Sequence, residues 1–444
     1  MESAVHTPAG VSAGHPTNAE LRRLIFASSL GSVIEWYDFM VYVSLAVYIG
    51  PMFFVTKDET VRMMLSVATL STGYVVRPLG GMFFGVVGDR YGRKITFVWT
   101  LLVMGLATAG IGLLPTYAQV GLAAPILLLT CRMLQGMALG GEYAGAAVYV
   151  AEHAPSGKRG LLTGWIQAST SVGQLSAIAV IFILQYSLTS DDFAAWGWRI
   201  PFLLSAIILG ISLYVRSQLA ESPAFVAMKS AHTESRKPFR DTWRWSNLKL
   251  MLIALFGAVA GHATLGNMGL VFSLLYLQSG LHVSPHVTSA VYAGGLILSL
   301  PFFVFFGWLS DRIGRKRVMV FGMLLAAVSY IPIYRLMAIY SNPVDRLALS
   351  LLVFAHMFLI SLVFGPLAAY LVELFPTRVR TTSLSIPYNI GTGVIGGLLP
   401  LIVFSIRNAT GSIYIALAYP ISVATIAALV NIFFVRDRHG QSLE

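Results

Sequence analysis

The sequence contains one cysteine, Cys131, among 444 residues. A single thiol excludes an intrachain disulfide framework and a metal cluster built on cysteines. Cys131 lies in an apolar run, where filling space is its simplest role. Charge is also scarce. Asp, Glu, Lys and Arg make up 11% of the chain, against roughly 25% in soluble globular domains. That shortage excludes an ordinary soluble enzyme. Tight histidine–aspartate spacing of the metal-binding kind is missing too, so a metal-dependent membrane enzyme is poorly supported.

What fills the chain is apolar: 56% of its residues are hydrophobic. They fall in twelve blocks, each long enough to cross about 30 Å of hydrocarbon. The blocks are residues 24–50, 63–87, 95–115, 121–150, 161–188, 198–215, 248–277, 287–309, 318–339, 349–371, 383–406 and 413–435. The polar, small-residue start, 1–20, reads as a disordered tail. The run from Leu24 has no small-residue cleavage pattern after a short apolar core, so it reads as a retained first span. Polar and basic residues 217–247 separate two sets of six spans and are too polar to cross. The expected class is therefore all-α and membrane-embedded. It has an N-terminal six-helix bundle at 21–216, a linker at 217–247, a C-terminal bundle at 248–435 and a tail at 436–444. Within the linker, 223–228 has the pattern of an amphipathic surface helix.

The formal net charge is +11. Its basic residues cluster between apolar blocks, which points to membrane topology and anionic lipid rather than to nucleic acid. Arg22, Arg23, Arg90, Arg93, Lys94, Lys158 and Arg159 lie in the N-terminal tail or in even-numbered gaps. So do Arg312, Arg315, Lys316, Arg317, Arg378 and Arg380. Both termini are therefore expected in the cytoplasm.

The chain also repeats itself. GVVGDRYGRK at 85–94 and GWLSDRIGRK at 307–316 share the pattern G-x-x-x-D-R-x-G-R-K, and Asp89 and Asp311 lie 222 residues apart. AEHAPSGKRG at 151–160 and VELFPTRVR at 372–380 form a second pair, with Glu152 and Glu373 separated by 221 residues. Two offsets so nearly equal point to parallel, homologous halves. These loops are not phosphate-binding loops, so nothing in them suggests ATP hydrolysis. Glycine permits a tight turn, while aspartate caps a helix or pairs with arginine. Gly85, Asp89, Arg90, Gly92 and Arg93, with Asp311, Arg312, Gly314, Arg315, Glu152 and Glu373, are expected to form a cytoplasmic latch that breaks as the halves rock. A plain basic anchor with a turn is the simpler alternative.

These loops, together with GSVIEWYDFMVY, VVRPLGGMFFG and CRMLQGMALGGEYAGA, resemble the major facilitator superfamily. Within it, the chain resembles the metabolite–proton symporters, which are related to the sugar porters. The resemblance runs from about Leu24 to Val435. It implies twelve helices in two pseudo-symmetric bundles, alternating access, and proton-driven uptake of a small polar metabolite across a bacterial inner membrane. Members of that family carry α-ketoglutarate, citrate, shikimate, proline and betaine, and none of the shared motifs selects among these cargoes.

Ionisable residues inside membrane spans are costly and usually functional. Glu35 and Asp38 are three residues apart in VIEWYDFMVY, so on a helix they share one broad face. Burial and a neighbouring cation act on such a carboxylate in opposite senses, which lets it exchange a proton in a useful range. Asp38 is the expected proton site, with Glu35 binding a proton itself or orienting Asp38. The likeness to sugar porters implies Arg132 as the partner of Asp38. Glu142 is ten residues beyond Arg132, about 15 Å along a helix, and needs a partner elsewhere. Gly136, Gly140, Gly141 and Gly145 thin the same helix for close packing. Arg77, Gln135, Tyr42, Asn267, Tyr388 and Asn389 are the candidate cargo contacts, although packing alone would also explain the tyrosines. His262 and His356 are weaker candidates.

Arg77 and Arg132 stand against Glu35, Asp38 and Glu142 within the spans. Protonating one acid leaves the set near electrical balance, ready for a carboxylate. The expected function is proton symport of a small carboxylate-bearing metabolite, an organic acid such as a di- or tricarboxylate, by alternating access. Alternatives are a proline- or betaine-like zwitterion, or uncoupled uniport or export. A non-transporting sensor is disfavoured because no signalling domain is visible. The expected partners are metabolite, protons and lipid, with no nucleic acid and no cofactor, and the expected working unit is a monomer.

Overall fold

The computed structural model describes residues 18–91, 93–217, 242–376 and 380–435, with 437, 440 and 441 beyond them. Among these the chain is helical, with no strand. The helices are α1 (Asn18–Phe53), α2 (Glu59–Val75), α3 (Arg77–Tyr91), α4 (Arg93–Leu113), α5 (Ala123–His153), α6 (Arg159–Ser187) and α7 (Arg199–Ser217). The second half supplies α8 (Trp245–Gly280), α9 (Pro285–Ile313), α10 (Arg315–Tyr340), α11 (Arg346–Leu374), α12 (Arg380–Thr410) and α13 (Ile413–Phe434). Most of the 217–247 linker, including the expected surface helix, lies outside the described residues. So do the side chains of Gly85, Asp89, Arg90, Gly92 and Arg93.

Nine helices among the described residues are long and apolar enough to cross a membrane. A tenth span results if Ser190–Gly197 and Arg199–Tyr214, bent by 48°, count as one. The other two expected spans are not among these ten. The second is divided into α2 and α3, of 17 and 15 residues, on either side of Val76. Pro78 explains the break, because proline lacks an amide hydrogen and crowds the preceding turn. The Leu79 and Gly80 amides both turn back to the Val76 carbonyl, at 3.1 and 3.2 Å. The third expected span lies in α4, whose 21 residues include the apolar stretch Val98–Leu113.

Two helices of the second half are irregular. α8 contains π-helical turns at Leu255–Val259, Met268–Phe272 and Tyr276–Gly280, and α12 has one at Gly391–Gly396. Such turns widen a helix and often mark functional sites. They lie on either side of Asn267 and directly after Asn389.

Glycine sets the closeness of α2, α3 and α5. A Cβ at Gly136 would overlap the Gly73 carbonyl, and one at Gly140 would overlap the carbonyl of Arg77. The first half also meets the second here. Asn389 Nδ2 donates to Gly140 O at 2.7 Å, and Ser71 Oγ donates to Gly397 O at 2.8 Å. Enlarging Gly136 to leucine must push α2 away from α5. The expected cost is about 1–3 kcal/mol or more of stability, read as a lower unfolding temperature of the detergent-solubilised protein. An unchanged unfolding temperature would show that the seam is not close-packed.

Candidate functional site

The first feature of the site is a chain of polar side chains across four helices. Asp38, on α1, is buried. Its Oδ2 accepts from Thr108 Oγ1 on α4 at 2.9 Å, and its Oδ1 accepts from Ser205 Oγ on α7. Gln135 Nε2 on α5 donates to the same Thr108 oxygen at 2.5 Å. Arg132 Nη1, one turn earlier, donates to Gln135 Oε1 at 2.7 Å. Arg132 is therefore linked to Asp38 through Gln135 and Thr108, where a direct pair was expected. The reason is spatial. The guanidinium of Arg132 turns onto the face of Tyr42, with its Cζ 4.2 Å from the ring centroid.

Glu35, Asp38, Tyr74, Arg77, Arg132 and Gln135 line one cavity, closed on the α5 side by Gly136 and Leu139. Its free volume is about 10 Å³, room for roughly one water. Arg77 faces it and rests on Tyr74, with its Cζ 4.3 Å from the ring centroid. Glu142 is buried but is not among the lining residues. The other expected cargo contacts are occupied elsewhere. Asn389 gives both amide hydrogens to carbonyls, Gly140 O at 2.7 Å and Ser385 O at 2.9 Å. Asn267 Nδ2 bonds its own helix at Ala263 O, 3.0 Å, and its Oδ1 has no hydrogen-bond partner.

Tyr388 stacks on Tyr143 with ring centroids 3.8 Å apart and planes within 5°. His262 stacks on Phe364 at 4.3 Å. His356 lies between Tyr330 and Tyr334 and bonds its own helix at Leu352 O.

A larger cavity of about 450 Å³ opens toward the end of the bundle that carries the 53–59 and 280–285 connections. Arg62 and Glu59 from the first half line it, with Ser279, His282 and Arg407 from the second. The opposite end, among the described residues, is crossed by ion pairs and hydrogen bonds. Asp311 accepts from the amides of Gly160, at 2.9 Å, and Leu161, at 2.8 Å, at the start of α6. It also pairs with Arg315 at 2.6 Å. Glu373 receives Arg315 through both Nε and Nη2, at 3.3 and 3.1 Å, and pairs with Arg159 at 3.5 Å. Arg380 pairs with Glu152 at 2.9 Å.

The last two pairs are reciprocal. Glu152 of one repeat meets Arg380 of the other, and Glu373 meets Arg159. Each glutamate stands seven residues before its own repeat's arginine. Gly160 and Gly307 approach so closely that a Cβ on either would overlap the other's carbonyl. Gly314 turns the chain between α9 and α10 at φ 103°, a conformation that favours glycine. Arg312 lies outside this network, its Cζ 4.2 Å from the Trp308 ring centroid.

Sequence reasoning missed Thr108 and Ser205, the hydroxyls holding Asp38, and Gln167, whose Nε2 donates to Tyr143 at 2.8 Å. Their only signal was a short polar group in an apolar helix, a signal shared by many hydroxyls that merely bond their own backbone.

The family model described as "Sugar (and other) transporter" matches residues 24–255, and the one described as "Major Facilitator Superfamily" matches 255–444. A glycine betaine/proline/ectoine/pipecolic acid transporter, OusA, of Dickeya dadantii is 34% identical over 94% of this chain and 83% of its own length. The proline/betaine transporter of Escherichia coli is 32% identical, with the same coverage of each chain. Among solved structures, the proton:xylose symporter XylE matches with a TM-score of 0.77 at 17% identity, covering 96% of this chain and 98% of that one. That likeness is one of fold. The chain belongs to the major facilitator superfamily, as a sugar-porter-like membrane transporter and not an enzyme.

Proposed function

We propose that this transporter is a proton symporter of a small zwitterionic carboxylate, of the proline or betaine type. It works by alternating access between bundles 21–216 and 248–435 in a bacterial cytoplasmic membrane, with both termini inside. The preference for an organic acid gives way here, because the relatives named above are transporters of proline, betaine and similar zwitterions. The charge argument survives that change, since a zwitterion also presents a carboxylate to Arg77 and Arg132.

The observation that carries the proton-coupled reading is the way Thr108 joins Asp38 to Gln135. A hydroxyl has one proton to give and two lone pairs to receive with. With Asp38 ionised, Thr108 donates to it and accepts from Gln135. With Asp38 protonated, the carboxyl donates to Thr108, which turns its own proton to Met104 O, 2.9 Å away. Both protonation states are thus fully hydrogen-bonded, and neither strands a buried polar group. The change reaches Arg132 through Gln135, so proton binding and carboxylate binding act on one network. Arg77 Nε and Arg132 Nε have no hydrogen-bond partner, which leaves donors for cargo.

With both termini inside, the wide cavity at one end and the paired charges at the other support an outward-facing reading of this state. In the test, purified protein in liposomes receives an inward proton gradient and labelled proline, betaine, dicarboxylates or xylose. Proton-dependent accumulation of proline or betaine is expected. Accumulation of dicarboxylates alone would restore the organic-acid reading. Uptake indifferent to the proton gradient would reject symport in favour of uniport.

A further inference from the structure

We propose that the rings of Tyr143, Phe364, Tyr388 and His262 form the seat for the cargo's cationic group, a quaternary or secondary ammonium. This rests on the zwitterion reading above and locates the other end of the molecule. Arg132, Gln135, Gly136, Leu139 and Tyr143 recur at helical spacing on one face of α5. The first four line the small cavity, so Tyr143 lies one turn deeper on that face.

There the four rings are nearly parallel. Tyr143 covers Tyr388 at 3.8 Å and His262 covers Phe364 at 4.3 Å. Tyr143–Phe364 at 6.5 Å and His262–Tyr388 at 6.4 Å join the two pairs side by side. Tyr143 belongs to the first half, and the other three belong to α11, α12 and α8 of the second. Relative motion of the halves therefore separates the tyrosine pair and bares its faces.

An aromatic face attracts a soft alkylammonium without asking it to surrender a hydrogen bond. Two rings beside the deeper stack already show this chemistry, since Tyr74 and Tyr42 each hold an arginine on a face at 4.3 and 4.2 Å. The four deeper rings lie face to face with one another, and Phe364 also meets Phe303 edge-on at 6.1 Å. Gln167 fixes the Tyr143 hydroxyl from the side at 2.8 Å, and His262 Nδ1 is buried with no hydrogen-bond partner. The cargo's carboxylate then meets Arg77 and Arg132, and its ammonium end meets the rings one turn below.

The test sets glycine betaine against 3,3-dimethylbutanoate, which has the same carboxylate and shape but a neutral carbon in place of nitrogen. Both compete for labelled proline or betaine uptake in liposomes. In the unmodified protein, betaine is expected to inhibit on the order of tenfold more strongly than its neutral isostere. Tyr388→Leu should erase that difference by weakening betaine alone, and Tyr388→Phe should keep it. Phe364→Leu provides a second ring deletion should Tyr388→Leu fail to fold. Equal inhibition by the two compounds in the unmodified protein would overturn the proposal, as would a ring deletion that weakens both alike. Absence of proline and betaine uptake by the unmodified protein would sink the zwitterion reading itself, a result distinguishable from indifference to the rings.

Discussion

Asp38→Asn is expected to reduce proton-driven accumulation to none, with the cargo merely equilibrating across the membrane. One proton moved per cargo through one pH unit supplies about 1.4 kcal/mol, or about tenfold accumulation. The asparagine variant should show a ratio near one at every gradient. Exchange of labelled for unlabelled cargo should survive, because binding and rocking need no net proton. The amide remains an acceptor for Ser205 or Thr108, so the helix contacts persist. Accumulation equal to that of the unmodified protein would reject Asp38 as the coupling site.

Glu35 provides the internal contrast. It lines the same cavity as Asp38, and Asp38 is held in the hydrogen-bonded chain from Ser205 and Thr108 through Gln135 to Arg132. If Glu35 only orients Asp38, Gln at position 35 should lower uptake less than Asn at 38 does. A carboxylate that only orients the site leaves the proton step in place when it is neutralised.

Much of this site was legible before any coordinates. Membrane spans make a charged residue conspicuous, so Glu35, Asp38, Arg77 and Arg132 stood out, and they share one cavity with Gln135. The paired charges between the repeats were legible for another reason. Two copies of one motif at one offset predict equivalent positions, and both Glu152 and Glu373 meet the opposite repeat's arginine.

What sequence could not give was direction. Arg132 was assigned to Asp38, yet it turns to Tyr42, because helical spacing fixes a face and leaves rotamers free. Tyr143 was passed over beside the more conspicuous Glu142, and its stacking on Tyr388 depends on how two distant helices cross. The division of the second span at Val76 was likewise hidden within a continuous apolar run, although Pro78 marked where it would fall.

The second large effect is expected at the latch. Glu373 is the acceptor for two buried arginines, Arg315 and Arg159. Replacing it by Gln takes this counter-charge from Arg159 and leaves Arg315 with Asp311 alone. Breaking a buried pair in this way costs about 3–5 kcal/mol. Arg159 of the first half meets Glu373 of the second in this structure, so on the proposed outward-facing reading much of that cost falls on that state. A shift of 3 kcal/mol corresponds to more than about a hundredfold in population. Asp311→Asn should move the balance the same way, because Asp311 holds the first amides of α6 across the halves. The single native cysteine makes this measurable. In a Cys131→Ser background, Ser279→Cys places a thiol in the wide cavity. A membrane-impermeant maleimide added outside should label it readily with the latch intact, and far more slowly with Gln at 373 or Asn at 311. Unchanged labelling with unchanged transport would reduce these charges to a basic anchor. Slower labelling confined to Gln at 373 would instead place the restraint in the arginine pairs, with the cap on α6 contributing nothing to the balance.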